Sequence, residues 1–189
     1  LYGSVLKDGG AQASTLTLRS NRRVYNYGPI ESTAGPLNVT FNSQADALIT
    51  PRYINNGEIY SNKNITTAGG DVRMYGGDSA DNFAVTYTGP GIELRDSIID
   101  AGGGDIILRG KTSDDVSIGA VYLEDMTLKT SGDGNILVRA INTHSGNNVD
   151  GVGLMLQDSQ LQTVHGDITL YGETNVAGND DFDYSHGIR

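Results

Sequence analysis

One short motif recurs along the chain and limits what it can fold into. Asp105-Ile106-Ile107-Leu108-Arg109-Gly110 has a relative upstream at Asp71-Val72-Arg73-Met74-Tyr75-Gly76, and two downstream at Asn135-Ile136-Leu137-Val138-Arg139-Ala140 and Asp167-Ile168-Thr169-Leu170-Tyr171-Gly172. Pro36-Leu37-Asn38-Val39-Thr40-Phe41 reads as a worn copy. The first apolar positions, 37, 72, 106, 136 and 168, are separated by 35, 34, 30 and 32 residues. A period of this length, with strand-like alternation inside each unit, means stacked units that share one continuous core.

Each unit divides into three segments. The first alternates strictly, as in Gly91-Ile92-Glu93-Leu94-Arg95-Asp96, Ala120-Val121-Tyr122-Leu123-Glu124-Asp125 and Gly153-Leu154-Met155-Leu156-Gln157-Asp158. Period-two alternation predicts strands with Ile92/Leu94, Val121/Leu123 and Leu154/Leu156 inward, and Glu93, Tyr122 and Met155 outward. The second segment centres on Ile30, Ile65, Ile99, Leu128 or Leu161. Two residues later stands a small side chain: Ser32, Thr67, Ala101, Thr130 or Thr163. A glycine-bearing corner follows, where glycine permits positive φ. The third segment is the opening motif, with inward pairs Leu37/Val39, Val72/Met74, Ile106/Leu108, Ile136/Val138 and Ile168/Leu170. From the centre of the second segment to the first apolar residue of the third is 7, 7, 7, 8 and 7 positions. The return link varies in length and carries the irregular residues, including the strand-like run Phe83 to Tyr87. Leu16-Thr17-Leu18 reads as a third segment of a preceding turn, and Val24 to Tyr27 and Glu58 to Ser61 as weak first segments. Only Ser43 to Leu48 leaves room for a helical turn.

Strands this short must pair with their equivalents one turn away, in parallel, at about 4.8 Å per turn. The expected fold is all-β: a right-handed parallel β-helix with three short strands per coil, about five coils and a period of about 30–35 residues, because parallel crossovers are right-handed. Residues 1–189 form one such segment, with coil corners near 32–36, 67–71, 101–105, 130–135 and 163–167. An antiparallel sandwich is the competing fold, but it does not require one corner length five times over.

Composition narrows the partners. The net charge of −10 argues against nucleic acid, which needs a basic face, and against an anionic membrane surface. Absence of cysteine removes disulfides and thiolate metal sites. Glycine at 26 of 189 residues is about twice the usual share and fits a chain rich in corners. The opening Leu1-Tyr2-Gly3 and the closing Ser185 to Arg189, which resembles the start of another unit, suggest a piece of a longer rod.

The units Gly70-Asp71-Val72-Arg73-Met74, Gly104-Asp105-Ile106-Ile107-Leu108 and Gly166-Asp167-Ile168-Thr169-Leu170, each preceded by an Ile/Leu-x-Thr/Ala step and a glycine turn, resemble the repeats of filamentous-haemagglutinin-like exoproteins. These are large β-helical proteins that Gram-negative bacteria export by two-partner secretion. The resemblance spans about residues 24–175. It implies a secreted or cell-surface rod used in adhesion, biofilm matrix or virulence, with an outer-membrane secretion partner for the parent protein. Nothing here matches the family's N-terminal secretion signature, so no functional residue is carried over.

Several clusters invite a chemical reading, each with a plainer one beside it. Asp96, Asp125 and Asp158 recur after the first segment and would make a carboxylate row, or simply shape a turn. Acidic groups at Asp78/Asp81, Asp114/Asp115 and Asn179 to Asp183 suggest calcium, but lack the spacing of a calcium loop. His144, His165 and His186 are spaced by 21, which does not match the repeat. Asp96, Arg95 and Lys129 on one face would suit a polysaccharide lyase or hydrolase. Tyr60, Tyr75, Tyr122 and Tyr171, with Arg73, Arg109 and Arg139, would form a strip for a sugar or protein. Asn38-Val39-Thr40 and Asn64-Ile65-Thr66 match the glycosylation pattern inside strands. Catalytic, cofactor and metal residues are expected to be none. The expected function is a non-catalytic rod segment of an exported bacterial surface protein, touching a host or bacterial surface protein or glycan and continuing end to end into further β-helix. The alternative is a carbohydrate-active β-helix enzyme or binding module. An ice-binding or self-assembling ladder would need Thr67, Thr130 and Thr163 outward, and the pattern places them inward.

Overall fold

The computed structural model describes residues 1–44, 57–113, 118–143, 151–174 and 186–189. Among the described residues there are strands and turns and no helix. The strands are β1 (Val5–Lys7), β2 (Ser14–Arg19), β3 (Val24–Asn26), β4 (Ile30–Ser32), β5 (Leu37–Ser43), β6 (Ile59–Ser61), β7 (Ile65–Thr66), β8 (Val72–Gly76) and β9 (Ala84–Thr86). They continue with β10 (Ile92–Asp100), β11 (Ile106–Thr112), β12 (Val121–Lys129), β13 (Ile136–Asn142), β14 (Val152–Gln157), β15 (Gln160–Gln162), β16 (Ile168–Thr174) and β17 (His186–Ile188).

The strands form two sheets in which neighbours lie one coil apart. One has ten strands, seven along the path β1-β4-β7-β10-β12-β14-β17 with β3, β6 and β15 beside it; the other has seven, six along β16-β13-β11-β8-β5-β2 with β9 beside it. Pairing is parallel. The result is a parallel β-helix of about four turns, with β1 and β17 each covering only part of a turn. The first and second segments belong to the ten-stranded sheet and fuse into single long strands, β10 and β12, in the clean coils. The third segment makes the other sheet. Ser43 ends β5, and residues 45–48, where a helical turn was conceivable, lie outside the described residues.

The core is the narrow space between the sheets, filled by columns of like residues. Ile30, Ile65, Ile99, Leu128 and Leu161 are aligned rung by rung. Ile106, Ile136 and Ile168 are aligned in the facing sheet, and Val24, Ile59 and Ile92 in a third column. Ile92, Leu94, Val121, Leu123 and Leu154 are fully buried, as the alternation requires. The predicted pairing slips at one place. Val39, not Leu37, lies opposite Val72, and Phe41 opposite Met74. Leu37 also faces inward, so alternation alone admitted both registers.

Asn38 selects the observed register. Its Oδ1 accepts the Asp71 N–H at 3.0 Å. Asp71 Oδ1 accepts the Asp105 N–H at 3.0 Å, Asp105 Oδ1 the Asn135 N–H at 2.8 Å, and Asn135 Oδ1 the Asp167 N–H at 2.8 Å. The aspartate of each Gly-Asp unit is therefore a rung in a side-chain ladder along the axis, satisfying a strand-entry donor that no corner carbonyl reaches.

The glycine before it has a different cause. A Cβ on Gly104 would lie 2.4 Å from the carbonyl of Gly70, one on Gly134 2.4 Å from Gly104 O, and one on Gly166 2.0 Å from Gly134 O. Close approach of backbones excludes any side chain there, and none of these three has positive φ. The positive φ expected at the corner is found at Gly35, Gly69, Gly102 and Gly132, at 75°, 103°, 58° and 59°. Inside the corner, Ser32, Thr67, Thr130 and Thr163 donate their hydroxyls to the carbonyls of Gly35, Gly70, Gly134 and Gly166. Thr67 and Thr130 are buried, so they form no outward threonine ladder.

Insertions leave the coil without breaking its pairing. β8 and β9 both pair with β11, with residues 77–83 excluded between them. Beyond the end of β5, the Gln44 side chain stands in for a peptide. Its Nε2 donates to Val85 O at 3.1 Å and its Oε1 accepts the Val85 N–H at 3.2 Å.

Candidate functional site

Outward residues of the ten-stranded sheet share one face because the register stacks them. Tyr25 lies beside Tyr60, Tyr60 beside Glu93, Glu93 beside Tyr122, and Tyr122 beside Met155. Tyr27, two residues after Tyr25, points to the same side. At the first coils the rings pack together. Tyr2 stacks on Tyr27 at 5.2 Å, Tyr27 meets Tyr60 at 5.5 Å, and Tyr25 meets Tyr60 edge-on at 6.2 Å. Such pairs are favourable beyond their buried area.

Charged groups lace this ribbon. Tyr25 donates its hydroxyl to Glu58 Oε2 at 2.9 Å and accepts from Arg23 Nη1 at 2.9 Å. Arg23 Nε lies 3.5 Å from the same Glu58 carboxylate. Two coils on, Arg95 bridges Glu93 and Glu124 and lies 4.9 Å over the Tyr122 ring. Tyr122 donates to Gln157 Oε1 at 2.9 Å. Burial pushes the Glu58 carboxyl above its usual range; the Tyr25 hydroxyl and Arg23 offset part of this, and Glu93 adds to it. Burial and then Glu58 raise Tyr25, and burial and then Glu93 raise Tyr60. For Arg95, burial works against the charge, but its hydrogen bond to Glu93 prevails and the guanidinium is held more firmly protonated. Titratable groups shifted together on one face mark a candidate site. Tyr122, expected to be outward, is buried beneath Arg95 and presents no ring face to solvent. The half-buried rings of Tyr25, Tyr27 and Tyr60 offer faces to apolar C–H surfaces, and the carboxylate, amide and guanidinium groups offer partners to hydroxyls.

The strip expected from the sequence is divided between the two sheets. Tyr60 and Tyr122 lie on the ribbon just described. On the other sheet Arg109 is aligned with Arg139, and Arg139 with Tyr171. Arg139 sits 5.3 Å over Phe83 and 5.1 Å over Tyr171, while Arg109 lies 3.3 Å from Asp81. Arg73 is paired locally with Asp71 at 2.8 Å. Tyr2, Tyr25, Tyr27 and Glu58 were missed. The 35-residue step from Tyr25 to Tyr60 was the available signal.

The other candidates resolve into local roles. Asp96, Asp125 and Asp158 have φ of 49°, 51° and 48°, a left-handed conformation that Asp tolerates better than most residues. They bend the strands between first and second segments, and the register passes over Asp96 and Asp125. Asp96, Arg95 and Lys129 do not converge as a unit: Arg95 turns to Glu93 and Glu124, and Lys129 to Asp100 at 2.9 Å. Asp78 accepts from Asn82 at 2.9 Å. His165 lies 3.9 Å from Asp133. Asn38 and Asn64 side chains are used by the Asp71 and Ile98 N–H groups. Asp114, Asp115, His144 and residues 179–183 lie outside the described residues. No metal-ligating cluster of three occurs among the described residues, and no described helix is long and apolar enough to cross a membrane.

No protein-family model, no curated protein and no solved structure matches the chain. The resemblance to filamentous-haemagglutinin-like exoproteins therefore rests on the Gly-Asp units alone. Packing accounts for those units: close backbone approach requires the glycine, and the side-chain ladder uses the aspartate.

Proposed function

We propose that the chain is a non-catalytic rod segment of a large exported bacterial surface protein, secreted or held at the cell surface, and that the tyrosine ribbon makes its adhesive contact with a host or bacterial surface protein or glycan. The observation that carries this reading is the ribbon itself: aromatic and charged groups held outward on consecutive rungs of a stiff, continuously paired scaffold. Aromatic and arginine side chains of this kind dominate contact energies in recognition surfaces. Ile106 and Ile136 are fully buried, whereas Ile168 in the same column is 44% exposed. A further coil would cover it, which fits end-to-end continuation of the β-helix. Export through an outer-membrane secretion partner follows from the resemblance and is part of the proposal.

The test is adhesion. Beads coated with the chain should bind bacterial or host cells, and Tyr27→Ser with Tyr60→Ser should abolish most of that binding without lowering the melting temperature to the point of unfolding. Beads that never bind above a bare-bead control would overturn the reading.

One observation favours a second reading, a carbohydrate-active protein. Glu93 and Glu124 flank one arginine beside Tyr122, and Glu58 has a raised carboxyl nearby on the same face. Incubation with a panel of polysaccharides would release reducing ends in proportion to protein, and Glu93→Gln or Glu58→Gln would stop it. No release from any polysaccharide leaves adhesion as the function.

A further inference from the structure

The sequence has no cysteine, so no disulfide can tie one coil to the next. It has 10 tyrosines, and four of them gather at one place. Tyr2, Tyr25, Tyr27 and Tyr60 form a connected group of rings with centroids 5.2, 6.1, 6.2 and 5.5 Å apart. Tyr75, Tyr87, Tyr122 and Tyr171 touch no second tyrosine ring among the described residues.

One pair in the group stands apart. Tyr2 and Tyr27 are the nearest and the closest to parallel, at 24°, whereas the other pairs are tilted by 43° or set edge-on at 77°. Among the described residues neither hydroxyl of this pair is hydrogen-bonded, while the Tyr25 hydroxyl is held between Glu58 and Arg23. The backbones beneath the two rings are fixed. The Tyr27 N–H donates to Leu1 O at 2.8 Å and the Val5 N–H to Pro29 O at 2.9 Å, and a Cβ on Gly28 would run into the Gly3 carbonyl. The rings therefore stay on the same side of two adjacent runs of chain, one coil apart. Tyr2 is 86% exposed, which gives an oxidant access to the pair.

We propose that Tyr2 and Tyr27 form a site of oxidative cross-linking, joined ring to ring as dityrosine by a haem peroxidase and hydrogen peroxide. Each phenol gives one electron to the oxidant and its hydroxyl proton to water. The two phenoxyl radicals join ortho carbon to ortho carbon, and the hydrogens at those carbons move to the oxygens as aromaticity returns. One peroxide becomes two waters, and the protein loses two hydrogens. Proximity directs the coupling, because each radical has its partner already held against it and need not meet another chain by diffusion. Residues 2 and 27 are 25 positions apart, and a cross-link closing a loop of that size restricts the unfolded chain. The bond is a covalent staple between coils, in a sequence that cannot make a disulfide. It stands independently of the adhesive reading.

The test is to treat the full 189-residue chain, in dilute solution, with a haem peroxidase and hydrogen peroxide. The monomer is recovered and read by dityrosine fluorescence, peptide mass mapping and thermal melting. The expected monomer has lost two hydrogens, carries the peptide of Tyr2 joined to that of Tyr27, and melts several degrees higher than the untreated chain. Tyr2→Phe and Tyr27→Phe keep the stacked rings but form no phenoxyl radical. Each should lose nearly all of the monomer's fluorescence and the thermal shift, and Tyr171→Phe should lose neither. Dityrosine confined to linked dimers, a monomer link that maps to other tyrosines, Phe variants that fluoresce like the parent, or no dityrosine in the parent would each overturn the site. A fully cross-linked monomer that melts where the untreated chain does would overturn its role as a staple.

Discussion

Gly104 lies on Gly70 so closely that a Cβ on Gly104 would be 2.4 Å from the Gly70 carbonyl carbon and oxygen. Both contacts are backbone, so nothing flexible can yield. Gly104→Ala should cost about 2–3 kcal/mol, the range for a forced backbone shift in a packed interior. Its neighbour Gly103 has nothing within 4 Å of the same position, and Gly103→Ala should stay within about 0.5 kcal/mol. Urea unfolding of the two variants decides between close approach and ordinary turn preference; equal losses would remove the stacking explanation.

The side-chain ladder predicts a chemical equivalence. Asp105 accepts from both the Asn135 N–H and the Asn135 Nδ2. Asn occupies the same rung at 38 and 135, so Asp105→Asn should be nearly neutral. Asp105→Ala leaves the Asn135 donor without its acceptor and should cost about 1–2 kcal/mol. The comparison is again by denaturant unfolding, and an Asn variant as unstable as the Ala variant would contradict the ladder.

Thr67 donates into the corner, where the Gly70 and Ala101 carbonyls both approach its hydroxyl. Thr67→Val keeps the shape and removes the donor, and should destabilise by about 1–3 kcal/mol. Thr67→Ser should recover most of that. Differential scanning calorimetry of the pair checks it, and a valine variant as stable as the parent would show the hydroxyl to be idle.

Asp125 separates backbone geometry from carboxylate chemistry. With φ at 51°, Asp125→Gly should leave stability nearly unchanged, whereas Asp125→Val should lose about 1–2 kcal/mol for a branched residue in a left-handed conformation. If instead glycine were as damaging as valine, the carboxylate would have a role that geometry does not describe.

Glu58 should make stability depend on pH. Its folded carboxyl is raised above the ordinary 4.5, burial being the first cause. The folded state therefore holds the proton more tightly than the unfolded state. The associated stability is fully present below pH about 4.5 and is lost as pH rises through the folded value. Measured against Glu58→Gln, which does not titrate, the parent should be relatively most stable in acid and lose ground as pH climbs above that point. A parent that gains on the variant over the same interval would reverse the assigned cause.

Much of the architecture was legible because the inward residues repeat. Ile30 to Leu161 and Ile106 to Ile168 stand in columns at the places alternation put them. The slip at Leu37 arose because apolar alternation repeats every two residues, so a shift of two leaves every inward side chain inward. Asn38, aligned with Asp71, breaks that degeneracy and was readable as a polar residue opening the third segment. The positive φ of the corner glycines was legible from the turn, whereas the close approach between coils that requires Gly104, Gly134 and Gly166 has no local signature. The resemblance through Gly-Asp units reads differently once those residues have packing roles of their own.

The amino-acid sequence by itself determined the period, the inward face and the parallel stacking, because short strands with unsatisfied edges and one apolar side have no cheaper partner than the next copy of themselves. Which outward residues meet was decided only by the tertiary structure. Tyr25 and Tyr60 are 35 residues apart, and Arg95 and Glu124 are 29 apart. Outward positions carry no repeating constraint, so their neighbours depend on the length of each return link, which varies from coil to coil. The tyrosine ribbon exists because those particular links bring its residues onto one face.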